Sequence, residues 1–232
     1  MRAVLCYHKV GDEREVGRWI AVSPTGLRDQ VSFFLRRGYK VVRPEEIVVA
    51  GQDRVIALTF DDAFESMLVN GLPVLKELGV PATIYAIGDL VGHRAEWEGM
   101  HGEQLASWDM LREAQSAGLE IGNHSATHAD FGRLDYDQQV AEIRRCDERL
   151  RAEGLEPRTL CLPFGRYGRE TSKAIEEAGY GIGFTVEKRW VSRRDDPRLL
   201  PRFAMSYGDG VLTILYKMFV RPRISGSRRG TR

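Results

Sequence analysis

The chain of 232 residues carries 34 Lys and Arg against 33 Asp and Glu, a formal net charge of +1, with 43% hydrophobic and 29% charged residues. This composition can bury a sizeable core and excludes a disordered chain, while the near-neutral charge gives no global attraction to nucleic acid. No run reaches the roughly 18 to 20 apolar residues of a membrane span, and Cys6, Cys146 and Cys161 are too scattered for a disulfide framework or a Cys-x-x-Cys metal site.

The first predicted strand covers residues 3–7 (AVLCY) and begins with no long apolar leader, so reduced thiols and a cytoplasmic location are expected. It ends at Tyr7 and His8. A lone histidine is usually structural, but one at the end of an unbroken apolar strand can face a site, where its near-neutral pKa suits a general acid. A helical pattern comes next over 24–37, then strands over 40–42 and 55–60. The second of these (VIALTF) stops abruptly at Asp61 and Asp62. Adjacent carboxylates repel, and a cation or shared proton would let them divide into metal ligand and general base. The competing reading makes one a helix N-cap and leaves the other solvated.

A helix over 66–78, a strand over 82–87 and a weakly periodic stretch over 88–104, read as a loop or lid, lead to a helix over 107–117. The strand 120–123 then runs into His124-Ser-Ala-Thr-His128. Two histidines four apart reach one metal ion from a tight loop, and Ser125 after the first excludes the His-Glu zincin pattern. Next come a helix over 136–153 and a strand over 159–162, which breaks at Pro163-Phe164-Gly165. Pro and Gly end strands everywhere. The functional alternative uses the Phe164 amide as an oxyanion donor and sets Phe164 and Tyr167 as walls for a sugar face or acetyl methyl. The last elements are a helix over 170–178, strands over 183–186 and 202–205, and an apolar stretch over 211–220 before a basic segment, 221–232. That end is read either as a core-packing helix with a solvated tail or as a peripheral contact with an anionic membrane. Gly38, Gly79, Gly118 and Gly179 each come directly after a predicted helix, and the βα alternation predicts a barrel with its polar strand ends at one mouth, or else an open doubly wound sheet.

Taken together, TFDDA, HSATH and LPFGRYG resemble the polysaccharide deacetylases of carbohydrate esterase family 4, the NodB homology domain. The opening YHKV is similar to the permuted branch that contains the poly-N-acetylglucosamine deacetylases, and the resemblance spans residues 3–205. It implies an α/β fold, a distorted parallel (β/α) barrel of about seven strands, over a catalytic domain at 1–220 with a basic tail at 221–232. It also implies one divalent metal on Asp62, His124 and His128, with Asp61 as base and His8 as acid. Many members begin the Pro-Phe motif with an arginine that pairs with the catalytic Asp; this chain has Cys161 between leucines there, and Arg202 is the candidate substitute. Tyr7, Pro163, Phe164 and Tyr167 are assigned to the substrate. Zinc suits an N2O ligand set, with cobalt, nickel or iron as alternatives. The expected activity removes N-acetyl groups from an amino sugar or glycan. The alternatives are a lipid- or nucleotide-linked sugar or other small amide, met at the inner face of the membrane, and a silent glycan-binding relative.

Overall fold

Two strands, RAVLCY and VIALTF, are buried at all six of their positions, which requires cover on both faces. A (β/α) barrel supplies it, with helices outside and opposing strands inside. The computed structural model describes residues 1–12, 20–49, 53–97, 102–206 and 210–220. In chain order the elements are β1 (Arg2–Tyr7), β2 (Lys9–Val10), β3 (Ala21–Val22), α1 (Pro24–Arg36), β4 (Lys40–Val42), β5 (Val55–Phe60), α2 (Leu72–Leu78), β6 (Thr83–Ala86), β7 (Arg94–Ala95) and β8 (Glu103–Gln104). They continue as α3 (Trp108–Ser116), β9 (Glu120–Asn123), α4 (Tyr136–Ala152), β10 (Leu160–Cys161), α5 (Thr171–Glu177), β11 (Gly183–Phe184), β12 (Phe203–Ala204) and α6 (Val211–Leu215).

One eight-stranded parallel sheet runs in the order β11, β10, β9, β6, β5, β1, β12, with β4 paired to the amino half of β5. The segment before β12 brings its two ends together. Leu200 bridges Phe184, with Thr185 N donating to Leu200 O at 2.8 Å, and three residues later Phe203 pairs with Leu5 of β1. The result is a distorted (β/α) barrel. Period-two alternation sorts its side chains: Ala3, Leu5 and Tyr7 of β1 and Ile56, Leu58 and Phe60 of β5 join the core under the helices. Val4, Ala57, Tyr85, Cys161, Phe184 and Leu200 fill the barrel interior.

Local signals set the helix ends. Ser23, Ser107 and Asp135 cap α1, α3 and α4 by accepting from backbone N–H groups, and Gly79 ends α2 with φ of 62°. The predicted helix over 66–78 opens as a π turn, Met67–Gly71, that ends two residues before Pro73, which has no N–H for the Val69 carbonyl. The stretch read as a loop contains a short antiparallel pair, β7 with β8. Two-residue strands are too short for periodicity to reveal. Lys9 Nζ donates to Glu103 at 3.0 Å and Leu105 bridges Phe64, which seat this hairpin beside the ends of β1 and β5. Ile214 and Met218 of the last helical stretch are buried in the main core, as in the core-packing reading; the basic segment 221–232 lies outside the described residues. Among the described residues, no helix is long and apolar enough to cross a membrane.

Candidate active site

Alternation along β5 aims Thr59 and Asp61 inward, and Asp61 N extends the ladder by donating to Tyr7 O at 2.9 Å. The next two residues leave the strand with positive φ, 69° at Asp62 and 54° at Ala63, so the two carboxylates part in direction. Ser125, His128 and Phe164 also have positive φ. Five of the seven non-glycine residues in that conformation among those described therefore fall in the three motifs, the pattern of strain concentrated at a working site.

Asp62 Oδ1 lies 3.1 Å from His124 Nε2 and 3.2 Å from His128 Nε2, and all three side chains are buried. Neither contact has hydrogen-bond geometry, and Oδ1 has no hydrogen-bond partner. The ligand atoms lie within 4.8 Å of one another. One carboxylate oxygen and two imidazole nitrogens converging on an unsatisfied point are a donor set that fits a borderline divalent ion. His124 is oriented from behind, its Nδ1 2.8 Å from the Cys161 carbonyl, which takes that proton and leaves Nε2 as the lone-pair nitrogen. Burial lowers the His124 pKa, but Asp62 and Asp61 outweigh it and the net shift is upward. Burial likewise raises Asp62, and the two histidines bring it well below the usual carboxylate range.

The loop between the histidines is fastened from α4 and from its own strand. Glu142 accepts from Ala126 N at 3.1 Å, Thr127 N at 2.9 Å and Thr127 Oγ1 at 2.9 Å. Asn123 Oδ1 accepts from Ser125 N at 2.9 Å, and Ser125 Oγ from His128 N at 3.1 Å. His128 Nδ1 has no hydrogen-bond partner; ring packing holds the imidazole instead, with Trp97 and Phe164 centroids at 4.3 and 4.6 Å.

Arg202 rises through the barrel interior to Asp61 with 0% exposure. Nη1 and Nη2 donate to Oδ1 and Oδ2, both at 2.7 Å, in the forked geometry that suits guanidinium and carboxylate. Its other donors meet Thr59 Oγ1 at 3.0 Å, Cys161 Sγ at 2.7 Å and, from Nε, the Thr185 carbonyl at 2.9 Å, so every N–H of the guanidinium has a partner. The candidate chosen for the missing arginine thus does contact Asp61, and Cys161 occupies the space beside it. Cys6 and Cys161 thiols each lie 3.4 Å from Asp61 Oδ2. Burial pushes Asp61 up, yet Arg202 overcomes it and holds the carboxyl far below its ordinary value.

His8 comes after Cys6 on the inward face of β1 and places Nε2 4.0 Å from Asp61 Oδ2, with Nδ1 lacking a hydrogen-bond partner. Burial lowers its pKa against the pull of Asp62 and Asp61. Phe164 is 41% exposed at the rim, held at φ 58° by a turn in which Gly165 lies against Val186. Pro163 is buried in that turn, and Tyr167, further out, donates to Glu187 at 2.5 Å. Tyr7 requires a correction. Its ring stacks on Phe60 in the core under the helices and its hydroxyl donates to Gln30 at 2.9 Å. Once His8 faces inward, alternation turns Tyr7 away from any substrate. Trp97 and Glu142 were not anticipated: one lies in the weakly periodic stretch, the other looks like any solvent-facing helix acid.

A family model described as polysaccharide deacetylase matches residues 49–183. YxkH of Bacillus subtilis, named as a polysaccharide deacetylase, is 27% identical over 214 residues, covering 88% of this chain and 71% of that protein. The poly-beta-1,6-N-acetyl-D-glucosamine N-deacetylase of Escherichia coli K12 is 24% identical over 224 residues; the match covers 79% of this chain but 33% of the longer enzyme. Among solved structures, the Streptococcus pyogenes deacetylase PplD with acetate superposes with a TM-score of 0.79 at 21% identity, covering 93% of this chain and 97% of that one. IcaB from Ammonifex degensii gives 0.75 at 23% identity, with coverages of 92% and 94%. The matched family model spans more than half of the chain, and the chain belongs to the polysaccharide deacetylase family.

Proposed function

We propose that this protein is a metal-dependent hydrolase that removes the acetyl group from an N-acetylated amino sugar or glycan. The observation that carries this reading is the convergence of His124 and His128 on the orphaned, buried Oδ1 of Asp62, beside an Arg202-bound Asp61. Asp62, His124 and His128 would hold the ion, zinc by ligand type. A divalent ion there supplies Lewis acidity, lowering the pKa of water toward about 7 and polarising a carbonyl.

Asp61 receives the proton of the attacking water. The Arg202 guanidinium keeps that carboxylate ionised and able to accept a proton. Arg202 fixes the plane of that carboxylate, and the Phe164 amide, in its left-handed turn beside His128, would donate to the oxyanion. His8, whose Nε2 lies 4.0 Å from Asp61 Oδ2, would take up the proton that Asp61 received and pass it to the departing amine. Hydrolysis consumes one water and yields acetate and a free amine.

Metal analysis after reconstitution with zinc tests the reading first. One ion per chain is expected in the wild type and none in His124→Ala; no bound ion in the wild type would overturn it. Amine release from N-acetylglucosamine oligomers, nucleotide sugars and lipid-linked sugars then decides the carrier.

A further inference from the structure

An imidazole that holds a metal is normally aimed by a hydrogen bond at its other ring nitrogen. His124 has one, from Nδ1 to the Cys161 carbonyl at 2.8 Å, whereas the buried Nδ1 of His128 has no hydrogen-bond partner. Ring contacts hold His128 instead, with the Trp97 centroid at 4.3 Å and an interplanar angle of 38°. The aim of His128 Nε2 therefore depends on what holds Trp97.

Trp97 comes two residues after Ala95, which pairs with Glu103 across β7 and β8. Ala95 is buried with Phe64, Ile87 and Leu105, and Trp97 packs on that cluster, its ring centre 6.3 Å from that of Phe64. Strands β7 and β8 form a sheet of their own, apart from the barrel sheet. Lys9 ties them to the mouth. Its Nζ, on a side chain 2% exposed, meets Glu103 Oε1 at 3.0 Å and lies 5.8 Å from the centre of the Phe64 ring. The backbone of Lys9 is fixed from the other side, its N donating to the Ile20 carbonyl at 3.2 Å. Ile20, β-branched yet held at φ 52°, packs on the same apolar cluster. An ammonium buried this far is costly unless paired, which sets this contact apart from the exposed ion pairs of the surface.

We propose that the ion pair of Lys9 and Glu103 is a positioning clasp for the metal site. It holds β7 and β8 against the mouth, sets Trp97 on the His128 ring and so fixes the direction of His128 Nε2. The inference rests on the reading of Asp62, His124 and His128 as ligands.

Two measurements on the full chain test it. Zinc affinity, read by competition with a chromophoric chelator, is expected to fall on the order of tenfold in Glu103→Gln, which leaves the buried ammonium without its counter-charge, and in Trp97→Ala, which removes the ring itself. Lys9→Met keeps an apolar stem beside Phe64 and leaves no unpaired ammonium; it should shift affinity in the same direction and serves where Glu103→Gln folds poorly. The second measurement is the proton spectrum of the His128 ring in the metal-free protein, assigned by its absence from His128→Ala. The indole ring current displaces these signals in the wild type, and in all three variants they should move toward the position of a free imidazole. A merely structural ion pair would lower the Tm of Glu103→Gln and move neither readout. Wild-type zinc affinity in both Glu103→Gln and Lys9→Met, or ring protons that move in neither, overturns the proposal. A wild-type chain that binds no zinc overturns the metal reading instead, and the ring protons, measured without the ion, then decide whether the clasp sets the imidazole.

Discussion

Arg202 and Asp61 are both buried, and their pairing governs the electrostatics around the candidate base. Removing one partner of such a pair leaves the other charge unpaired, so Arg202→Met is expected to cost about 3–5 kcal/mol in urea unfolding at neutral pH. Asp61 has its folded pKa depressed below the unfolded value of about 3.9, so its contribution is present above that pH and lost as pH falls toward the folded value. In Arg202→Met, burial without the guanidinium raises the same pKa, and the stability gap between the two proteins should shrink from pH 7 toward pH 3. A constant gap would contradict the assignment. The thiols should be inert in the folded protein. Cys6, Cys146 and Cys161 are buried and free, burial raises all three, and Cys146 is pushed up to about 12. Ellman's reagent should find no reactive thiol in the native protein at pH 8 and three after unfolding. At this scale the sequence made Asp61, Asp62, His124 and His128 legible because each pair is local. Arg202 is separated from Asp61 by 141 positions, and only the absence of an arginine at Cys161 pointed to it.

Elements were legible in proportion to their length. The strands Val55–Phe60 and Glu120–Asn123 have the bounds expected of them, whereas the strands at 160–161, 183–184 and 203–204 are shorter than expected. Tertiary contacts, invisible to periodicity, tie these elements to the site. Glu142 joins α4 to the histidine loop through three hydrogen bonds, so Glu142→Ala is expected to keep its fold by circular dichroism while metal affinity falls about 10–100-fold. Unchanged affinity would show that the loop holds its shape alone. Gly122 sets the spacing of β9 against β6: a Cβ there would meet Tyr85 Cε1 at 2.4 Å. Gly122→Ala should therefore destabilise by about 1–3 kcal/mol, read as a lowered Tm.

For the whole molecule, closure of the barrel is what makes the site. The segment 200–204 joins β11 to β1 and in the same few residues sends Arg202 beneath Asp61, while β5 and β9 deliver the ligands to the same mouth. Strand order could not be read from the sequence, since alternating β and α segments fit an open sheet equally well; the family motifs, not the periodicity, pointed to a barrel. Hydrolysis of a sugar acetamide at this mouth, with Asp61 as its base, is the central claim. Acetate release from N-acetylglucosamine oligomers, nucleotide sugars and lipid-linked sugars by the metal-reconstituted chain, wild type against Asp61→Asn, tests it most directly. The expected result is turnover by the wild type on at least one of these acceptors and a loss of about 10²–10⁴-fold in the variant with its bound ion retained. Wild-type turnover by Asp61→Asn, or no acetate from any acceptor with the ion bound, would contradict it.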